Sequence, residues 1–228
     1  DCRFLAVTVD GQRFSMASEG IDSYRKHLDF RTGVLSRNVR WTTKRGVGIE
    51  IIWETLISME HRHVGAVRLD IRCDREAHIE VLSSIGMPLP RALSVLDPRV
   101  GAKLTHTSLS CLESSHLPEA HGRLPGFQAS FKTIESALHL CCGAFHEYSL
   151  PVQANVCSIG EPAMPAYRFS TSTRSFELCK YFYYHTSGRP GEQLTLTEVR
   201  EKKIDSALLR WHDLLASQKN HFNVFWEH

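Results

Sequence analysis

The feature that most constrains this chain is a run of short segments, from Arg3 to Ser83, in which apolar and polar residues alternate. Val67, Leu69 and Ile71, for example, alternate with charged neighbours. Such period-two patterning is typical of strands with one buried and one wet face. No segment of this run has the three-and-four spacing of a crossover helix, so a parallel βαβ fold is not expected. The pattern predicts a mainly β, antiparallel fold.

Two turn signals order the first strands. Asp10-Gly11 separates two β-prone segments and is a strong hairpin signal. Thr32-Gly33 punctuates a second pair of strands. If those two residues form the loop, Tyr24 lies opposite Trp41 and their side chains contact each other on one face of the sheet.

The middle and later parts of the chain differ in character. Residues 87–126 hold scattered prolines without a sustained period, which predicts long loops with one strand at most. Residues 151–165 are predicted to be a proline-broken loop. Strand character returns in four further segments, which are Phe127–Ile134, Ala137–Gly143, Tyr167–Thr171 and Arg174–His185.

The final stretch changes to helical spacing. Thr195 followed by Glu198 is a capping-box signature, which predicts an amphipathic helix from near Leu196. Its apolar stripe ends in Phe225-Trp226, so we expect it to dock on another surface. The chain starts without methionine and stops while this pattern is still running, so both ends are expected to be cut from something longer. The missing remainder is the expected partner of the stripe.

The composition bounds the domain count and the partners. A chain of 228 residues suits one main domain. It carries 27 basic and 25 acidic residues, which gives no electrostatic basis for binding nucleic acid or an anionic membrane, whereas a neutral sugar fits. No apolar run approaches the roughly 18 residues of a membrane span.

The seven cysteines show no CxxC pair, which favours reduced thiols in a cytoplasmic compartment. Cys141 and Cys142 lie in an apolar segment, and at least one of them is expected to pack as a small hydrophobe.

Familiar catalytic signatures are absent: the chain has no GxSxG, Walker, GxGxxG or HExxH motif. We therefore assign no catalytic, cofactor-binding or metal-binding residue. His61 and His63 could share one side of a strand, but no third ligand has telling spacing, so a structural role is favoured over a metal site.

Three residues on alternating strands need placing. Trp41 and Trp53 could stack on sugar rings, yet core burial is favoured because each lies on the apolar side of its strand. Arg37 shares a face with apolar residues, so if that face is buried its guanidinium needs a partner. We expect a structural ion pair there.

Four blocks of the sequence carry a recognisable pattern, which are LDFRTGVLSR with the following Trp41, SMEHRHVGAVRLDI, KYFYYHTS and the final LLASQKNHFNVFWEH. In order and spacing they resemble the N-terminal region of glycoside hydrolase family 65. The last block departs from the family in having Gln218 and Phe222 where histidine and tryptophan are frequent, which affects packing. The residues carried over from the motifs, all as structural residues, are Asp29, Arg31, Gly33, Arg37, Trp41, Ser58, His63, Arg68 and Lys180.

The resemblance implies an antiparallel β-supersandwich of galactose-mutarotase type over residues 1–191. The chain begins after the family's Asn-Gly-Tyr-containing opening segment, so the first strands of the sandwich can be absent. A helical linker over residues 192–228 then leads toward an absent (α/α)6 barrel.

By this resemblance, the parent protein is expected to be an enzyme that cleaves α-glucosidic disaccharides such as maltose, trehalose or kojibiose. Most enzymes of this kind are phosphorylases with inorganic phosphate as co-substrate, and a few are hydrolases. The resemblance places the chemistry in the barrel, so the present stretch is expected to be inactive alone, to brace the barrel and pocket rim, and to contribute to a homodimer. Two alternatives remain open, a free-standing carbohydrate-binding sandwich and an aldose mutarotase.

Overall fold

The computed structural model describes residues 2–85, 109–117, 125–149, 151–160, 163–199 and 210–227. This part of the chain is built mostly from antiparallel strands. The strands are β1 (Leu5–Val9), β2 (Gln12–Arg13), β3 (Ile21–Asp29), β4 (Val34–Thr42), β5 (Gly48–Ile57), β6 (Val64–Ser84), β7 (Leu109–Leu117), β8 (Gly126–Thr133), β9 (His139–Tyr148), β10 (Gln153–Ile159) and β11 (Met164–Thr186). One longer helix, α1 (Trp211–Trp226), follows them.

A long two-stranded ribbon, β6 paired with β11, joins the whole sheet. Arg72 pairs with Ser175 and Ala77 with Thr173, so residues 73–76 of β6 oppose Arg174 alone. Such an unequal count interrupts the ladder and bends a ribbon. The two halves of the ribbon therefore run in different directions and serve different neighbours.

Each half of the ribbon carries its own set of strands. One half extends into the order β3-β4-β5-β6-β11-β9-β8-β7, which we call the large sheet. The other half pairs with β1, which carries β2, and with β10, forming the small sheet. Side chains of both sheets share one buried core, which includes Val7, Val9, Ile51, Leu69, Ile71, Ile79, Val81, Phe127, Phe169 and Leu178. The predicted antiparallel β-sandwich is confirmed.

The first hairpin forms as predicted. Val9 pairs with Gln12 across Asp10 and Gly11, and both turn residues have positive φ, 48° and 78°. This is the backbone of a type I′ turn, which matches the twist of the strands it joins.

The second hairpin has a longer loop than predicted. Asp29 pairs with Val34, and the amide of Gly33 donates to the Asp29 carbonyl at 2.7 Å, so residues 30–33 form the turn. Tyr24 consequently faces Val39, while Ile21 faces Trp41. The predicted register was wrong by two residues, a shift that keeps every side chain on its expected face.

In the middle of the chain, the structure has the one strand that the prediction allowed for residues 87–126 and one strand that was not predicted. Residues 109–117 form β7, while the rest of the predicted loop region lies largely outside the described residues. The predicted loop at 151–165 is wrong, because Gln153–Ile159 pairs with the start of β11. Its prolines flank the strand, and as the outermost strand on β11 it is too exposed to show a clear apolar alternation.

The predicted continuous helix is interrupted. Residues 196–199 are helical, and the predicted capping box forms, because the amides of Thr195 and Glu198 each donate to the side chain of the other residue. Arg210, however, is extended (ψ 165°) and serves as the N-cap of α1, with its amide donating to Asp213 at 3.3 Å. The prediction of one helix that continues through residue 210 is therefore wrong. The sequence holds a second helix start, at Arg210 and Asp213, within the stretch of apolar residues at helical spacing.

The helical residues pack on the outer face of the large sheet. Leu196, Val199 and Leu214 join a second buried cluster with outward-facing strand residues. The strand contribution includes Leu56, Val64, Ala66, Cys141, Phe145, Cys179, Tyr181 and Tyr183. None of the described helices is long and apolar enough to cross a membrane.

Candidate functional site

Five of the nine family-motif residues lie in the two loops on which α1 rests. Asp29, Arg31 and Gly33 belong to the β3–β4 turn, and Ser58 and His63 to the β5–β6 loop. We call these two loops, residues 29–33 and 57–63, the helix seat. The remaining motif residues lie on strands, which are Arg37 and Trp41 on β4, Arg68 on β6 and Lys180 on β11.

The β3–β4 turn is shaped to let the helix approach. The Asp29 carboxylate accepts the amide of Arg31 at 2.8 Å, and that hydrogen bond lowers the pKa of the Asp29 carboxyl. Gly33 has φ +65°, and a Cβ built there would lie 2.6 Å from a ring carbon of Phe222 and 2.7 Å from the amide nitrogen of Gln218. Only glycine fits both the backbone conformation and the space.

Gln218 fixes the helix to the second loop of the seat. Its side chain is 1% exposed, its Oε1 accepts the amide of Met59 at 2.9 Å, and its Nε2 donates to the Ile57 carbonyl at 3.1 Å. The Ser58 hydroxyl accepts the amide of His61 at 2.9 Å and so shapes the same loop. The departure from the family pattern at position 218 is therefore a buried, paired amide.

His63 acts through its backbone and ring contacts. Its φ is 78°, its carbonyl accepts the amide of Tyr184 at 3.0 Å, and its ring lies 5.4 Å from that of His185. No group of three metal-ligating side chains occurs among the described residues.

The three motif arginines differ in environment. Arg68 makes a 2.7 Å ion pair with Glu177 and a 3.7 Å contact with Glu54 on the outer face of the large sheet. Arg31 is exposed. Arg37 is also exposed, and no carboxylate pairs with it among the described residues, so the predicted buried ion pair is wrong. The face it shares is the inner one, but the small sheet does not cover it there.

Both tryptophans on the inner face serve packing. Trp41 is fully buried and its indole N–H donates to the Glu19 carbonyl at 3.1 Å. Trp53 is partly buried, with its ring 5.4 Å from that of Phe14. Core burial was the favoured prediction for both, and it is confirmed for Trp41.

Lys180 lies in the sandwich core. It is 0% exposed, its ammonium donates to the carbonyls of Ser84 at 2.8 Å and Phe4 at 3.1 Å, and it sits 5.0 Å from the Phe127 ring centre. Burial lowers the pKa of Lys180 to about 7. A lysine without a carboxylate partner resists charge in such a place.

A buried histidine adjoins this lysine. His146 contacts the Ser83 hydroxyl through Nε2 at 2.7 Å and the Pro125 carbonyl through Nδ1 at 2.9 Å. Burial, with a further contribution from the Lys180 charge, lowers the pKa of His146 to about 3. Ser83 is 0% and His146 1% exposed, so this serine–histidine pair has no surface from which to meet a substrate.

Two thiols, the partly buried Cys2 and the buried Cys142, adjoin this cluster. Cys2 and Cys142 hydrogen-bond to each other, and this bond, ahead of the opposing effect of burial, lowers the pKa of Cys2 to about 7. Both Cys141 and Cys142 are buried, as predicted for at least one of them. The seven cysteines are free thiols.

The far end of α1 presents an exposed aromatic surface. Phe225 and Trp226 are 62% and 57% exposed, and their rings lie 5.0 Å apart. The Trp226 indole N–H donates to the Phe30 carbonyl at 3.0 Å, and Phe30 is 67% exposed. We call Phe30, Phe225 and Trp226 the aromatic patch. The predicted apolar stripe thus docks on its own sheet at one end and remains uncovered at the other.

Comparison with known proteins assigns the family. The model of the glycosyl hydrolase family 65 N-terminal domain matches residues 1–225. The chain belongs to this family.

Relatives of this family-65 chain are much longer. An uncharacterized glycosyl hydrolase of Mycobacterium tuberculosis is 22% identical over 233 residues, which is 99% of this chain and 28% of the relative. The alpha,alpha-trehalose phosphorylase of Thermoanaerobacter brockii is 23% identical over 236 residues, which is 100% of this chain and 29% of that enzyme. The chain thus spans less than a third of either relative.

A solved structure shares the fold of this family-65 domain. It is named as a candidate kojibiose phosphorylase from the human microbiome, and it superposes with a TM-score of 0.71 at 12% identity. The match covers 97% of this chain and 27% of that structure. The identity is too low for more than the fold.

Sequence reasoning missed the buried cluster. Lys180 and His146 meet because β11 pairs with β9, and Cys2, which precedes β1, comes near them because β1 pairs with β6 and β6 with β11. Among the three, only Lys180 was singled out, through its family block. A lysine between apolar residues on a predicted core strand was the one local signal that could have marked the site.

Gly33→Ala should weaken helix docking beyond the cost of a positive φ. Gly191→Ala is the matched control, because Gly191 has φ +79° and open space around its Cβ position. We expect the control to lose about 1 kcal/mol and Gly33→Ala on the order of 1–3 kcal/mol more, since Phe222 and Gln218 must shift. Denaturant unfolding measures both; equal losses would contradict the proposed fit.

Lys180→Met should change the pH dependence of stability. Lysine takes a proton near 10.5 when unfolded and near 7 in the fold, so between these pH values the unfolded state holds more protons. The free energy of unfolding of the natural chain should then rise relative to Lys180→Met by on the order of 2 kcal/mol from pH 6 to pH 9. Denaturant titrations check this. Lys219→Met, at an exposed helix position, should follow the natural chain.

Proposed function

We propose that this chain is the N-terminal β-sandwich domain of a larger enzyme that cleaves α-glucosidic disaccharides, and that it braces a separate catalytic barrel. Its family and the much greater length of its relatives support this role. Named relatives are phosphorylases of trehalose and kojibiose. Inorganic phosphate is therefore the proposed co-substrate of the larger enzyme, attacking the anomeric carbon with inversion while a carboxylic acid of the barrel protonates the leaving oxygen.

The observation that carries the proposal is the aromatic patch. Three large aromatic side chains, each more than half exposed, stand together where α1 ends beside the β3–β4 turn. The middle of α1 is fixed by Gln218, and Trp226 is oriented by its hydrogen bond to Phe30, so the patch is held in place on the fold. Contiguous apolar surface of this kind marks a site of contact. We assign it to the catalytic barrel of the same polypeptide.

The chemistry of the described residues favours a structural role over a catalytic one. Ser83, His146 and Lys180 meet in the core but are closed to solvent. A mutarotase would instead need histidine and carboxylate in an open sugar cleft. An open cleft lies between the β1–β2 segment and the inner face of β3, β4 and β5, and its described lining residues include neither. A cytoplasmic location and contributions to the pocket rim and to a homodimer stay predictions from the sequence.

The isolated chain should cleave no disaccharide. With maltose, trehalose or kojibiose, with and without phosphate, we expect no release of glucose or glucose 1-phosphate above a no-protein blank, because the acid and the phosphate site belong to the barrel. Coupled enzymatic assays of both products measure this, and the trehalose phosphorylase of Thermoanaerobacter brockii serves as positive control. Sustained turnover by the purified chain would overturn the proposal. Polarimetry with fresh α-glucose tests the mutarotase alternative in the same preparation.

Removing two rings of the aromatic patch should lower the Tm only when the barrel is present. Phe30→Ser with Phe225→Ser should leave the Tm of the isolated chain within about a degree, since both rings are exposed there. In the larger enzyme the same pair should lower the Tm by about 2–4 °C, because rings buried at the contact lose that burial. Calorimetry of both forms gives the comparison.

Val156→Ser is the control for these changes, because Val156 is 60% exposed on β10, outside the aromatic patch. It should alter neither Tm. An equal effect of the patch variant on the isolated chain and on the larger enzyme would remove the barrel as the occupant of this surface.

A further inference from the structure

An open cleft lies where the large sheet extends beyond the small one. Its volume is about 350 Å³, which is within the usual range of small-molecule sites. One wall is the segment around β1 and β2, and the floor is the inner face of β3, β4 and β5. This cleft is distinct from the aromatic patch, and it adjoins the buried lysine at Phe4, which lines the cleft while its carbonyl accepts a hydrogen bond from Lys180.

Strand register explains which side chains face the cleft. Arg37 pairs with Trp53 on β5 and with Lys26 on β3, and directly paired residues share a face. The same row continues to Leu69, which lies in the sandwich core. Arg37, Trp53 and Lys26 therefore project from the inner face, at the side that the small sheet leaves open.

The charged residues in the described lining of the cleft are all positive. Arg3, Arg13 and Arg37 line the cleft, and no Asp or Glu occurs in its described lining. All three arginines are exposed, so a ligand can reach them. A near-neutral protein with three guanidinium-bearing residues around one depression offers a local site for an anion, and guanidinium suits phosphate through paired hydrogen bonds.

Aromatic rings stand beside these cations. Tyr24 is 47% exposed in the cleft, and Trp53 and Phe14 form a tilted pair with ring centres 5.4 Å apart. Ring faces suit the C–H faces of a pyranose, since they present flat apolar area with little entropy to lose. The larger depression nearby, of about 570 Å³, is lined by turn residues of both charges and by no aromatic ring.

We propose that this cleft binds a phosphorylated monosaccharide, with its phosphate at the arginines, Arg37 foremost, and its sugar ring against Tyr24 and the partly exposed Trp53. Three arginines, flat rings and the lack of Asp or Glu among the described lining residues, within about 350 Å³, favour this class over a neutral sugar or a free anion. The site would give the domain a ligand of its own, whatever the catalytic role of the larger enzyme.

Titration calorimetry of the 228-residue chain with glucose 6-phosphate, glucose and inorganic phosphate tests the site. We expect glucose 6-phosphate to bind at least about tenfold more tightly than either fragment, because only it engages both cations and rings. Arg37→Gln and Tyr24→Ala should each weaken it by about threefold to tenfold. Both positions are exposed, so the variants should fold, which an unchanged Tm verifies.

Arg25→Gln is the matched control. Arg25 is exposed on β3, next to Tyr24. It pairs with Asn38 and so projects from the face of the sheet opposite the cleft. It should bind like the natural chain. No binding of glucose 6-phosphate, equal binding of phosphate alone, or unchanged affinity in Arg37→Gln would each overturn the proposal. None of these results depends on whether the chain cleaves disaccharides, so failure here is distinct from failure of the proposed function.

Discussion

The pairing of β6 with β11 is the constraint on which the rest of this structure depends. Both strands are long enough to belong to two sheets, and the bulge opposite Arg174 divides them between the layers. One ribbon thereby fixes the angle between the sheets and the position of every neighbouring strand. The common core follows, because side chains from both halves of the ribbon point to the same interior.

Much of the fold was predictable from alternation alone. Val67, Leu69 and Ile71 face the core as their pattern indicates, and the Asp10-Gly11 turn forms as its chemistry requires. The remaining errors have physical causes. The β3–β4 loop is longer because the Asp29 side chain and carbonyl both accept turn amides, and the helix breaks at Arg210 because a local cap competes with an apolar period that runs through it.

The candidate sites were predictable to a lesser degree. The family motifs marked Asp29, Gly33 and Ser58 as structural, and these residues shape the loops on which α1 rests. The environment of Arg37 was misjudged, because alternation reveals which face a residue occupies and not whether another layer covers that face. The cleft and the buried cluster each combine residues from strands distant in sequence, so no spacing rule could have assembled them.

The lysine in the sandwich interior also has a consequence for the amino end of the domain. Its amine reaches the Phe4 carbonyl just before β1 and the Ser84 carbonyl at the end of β6, and so ties two strand ends together at one corner. The backbone at Phe4 therefore helps to pair the buried amine of Lys180. A chain trimmed past Phe4 would lose one of the two carbonyls that accept hydrogen bonds from this buried amine, and a buried donor left without its acceptor destabilises a fold.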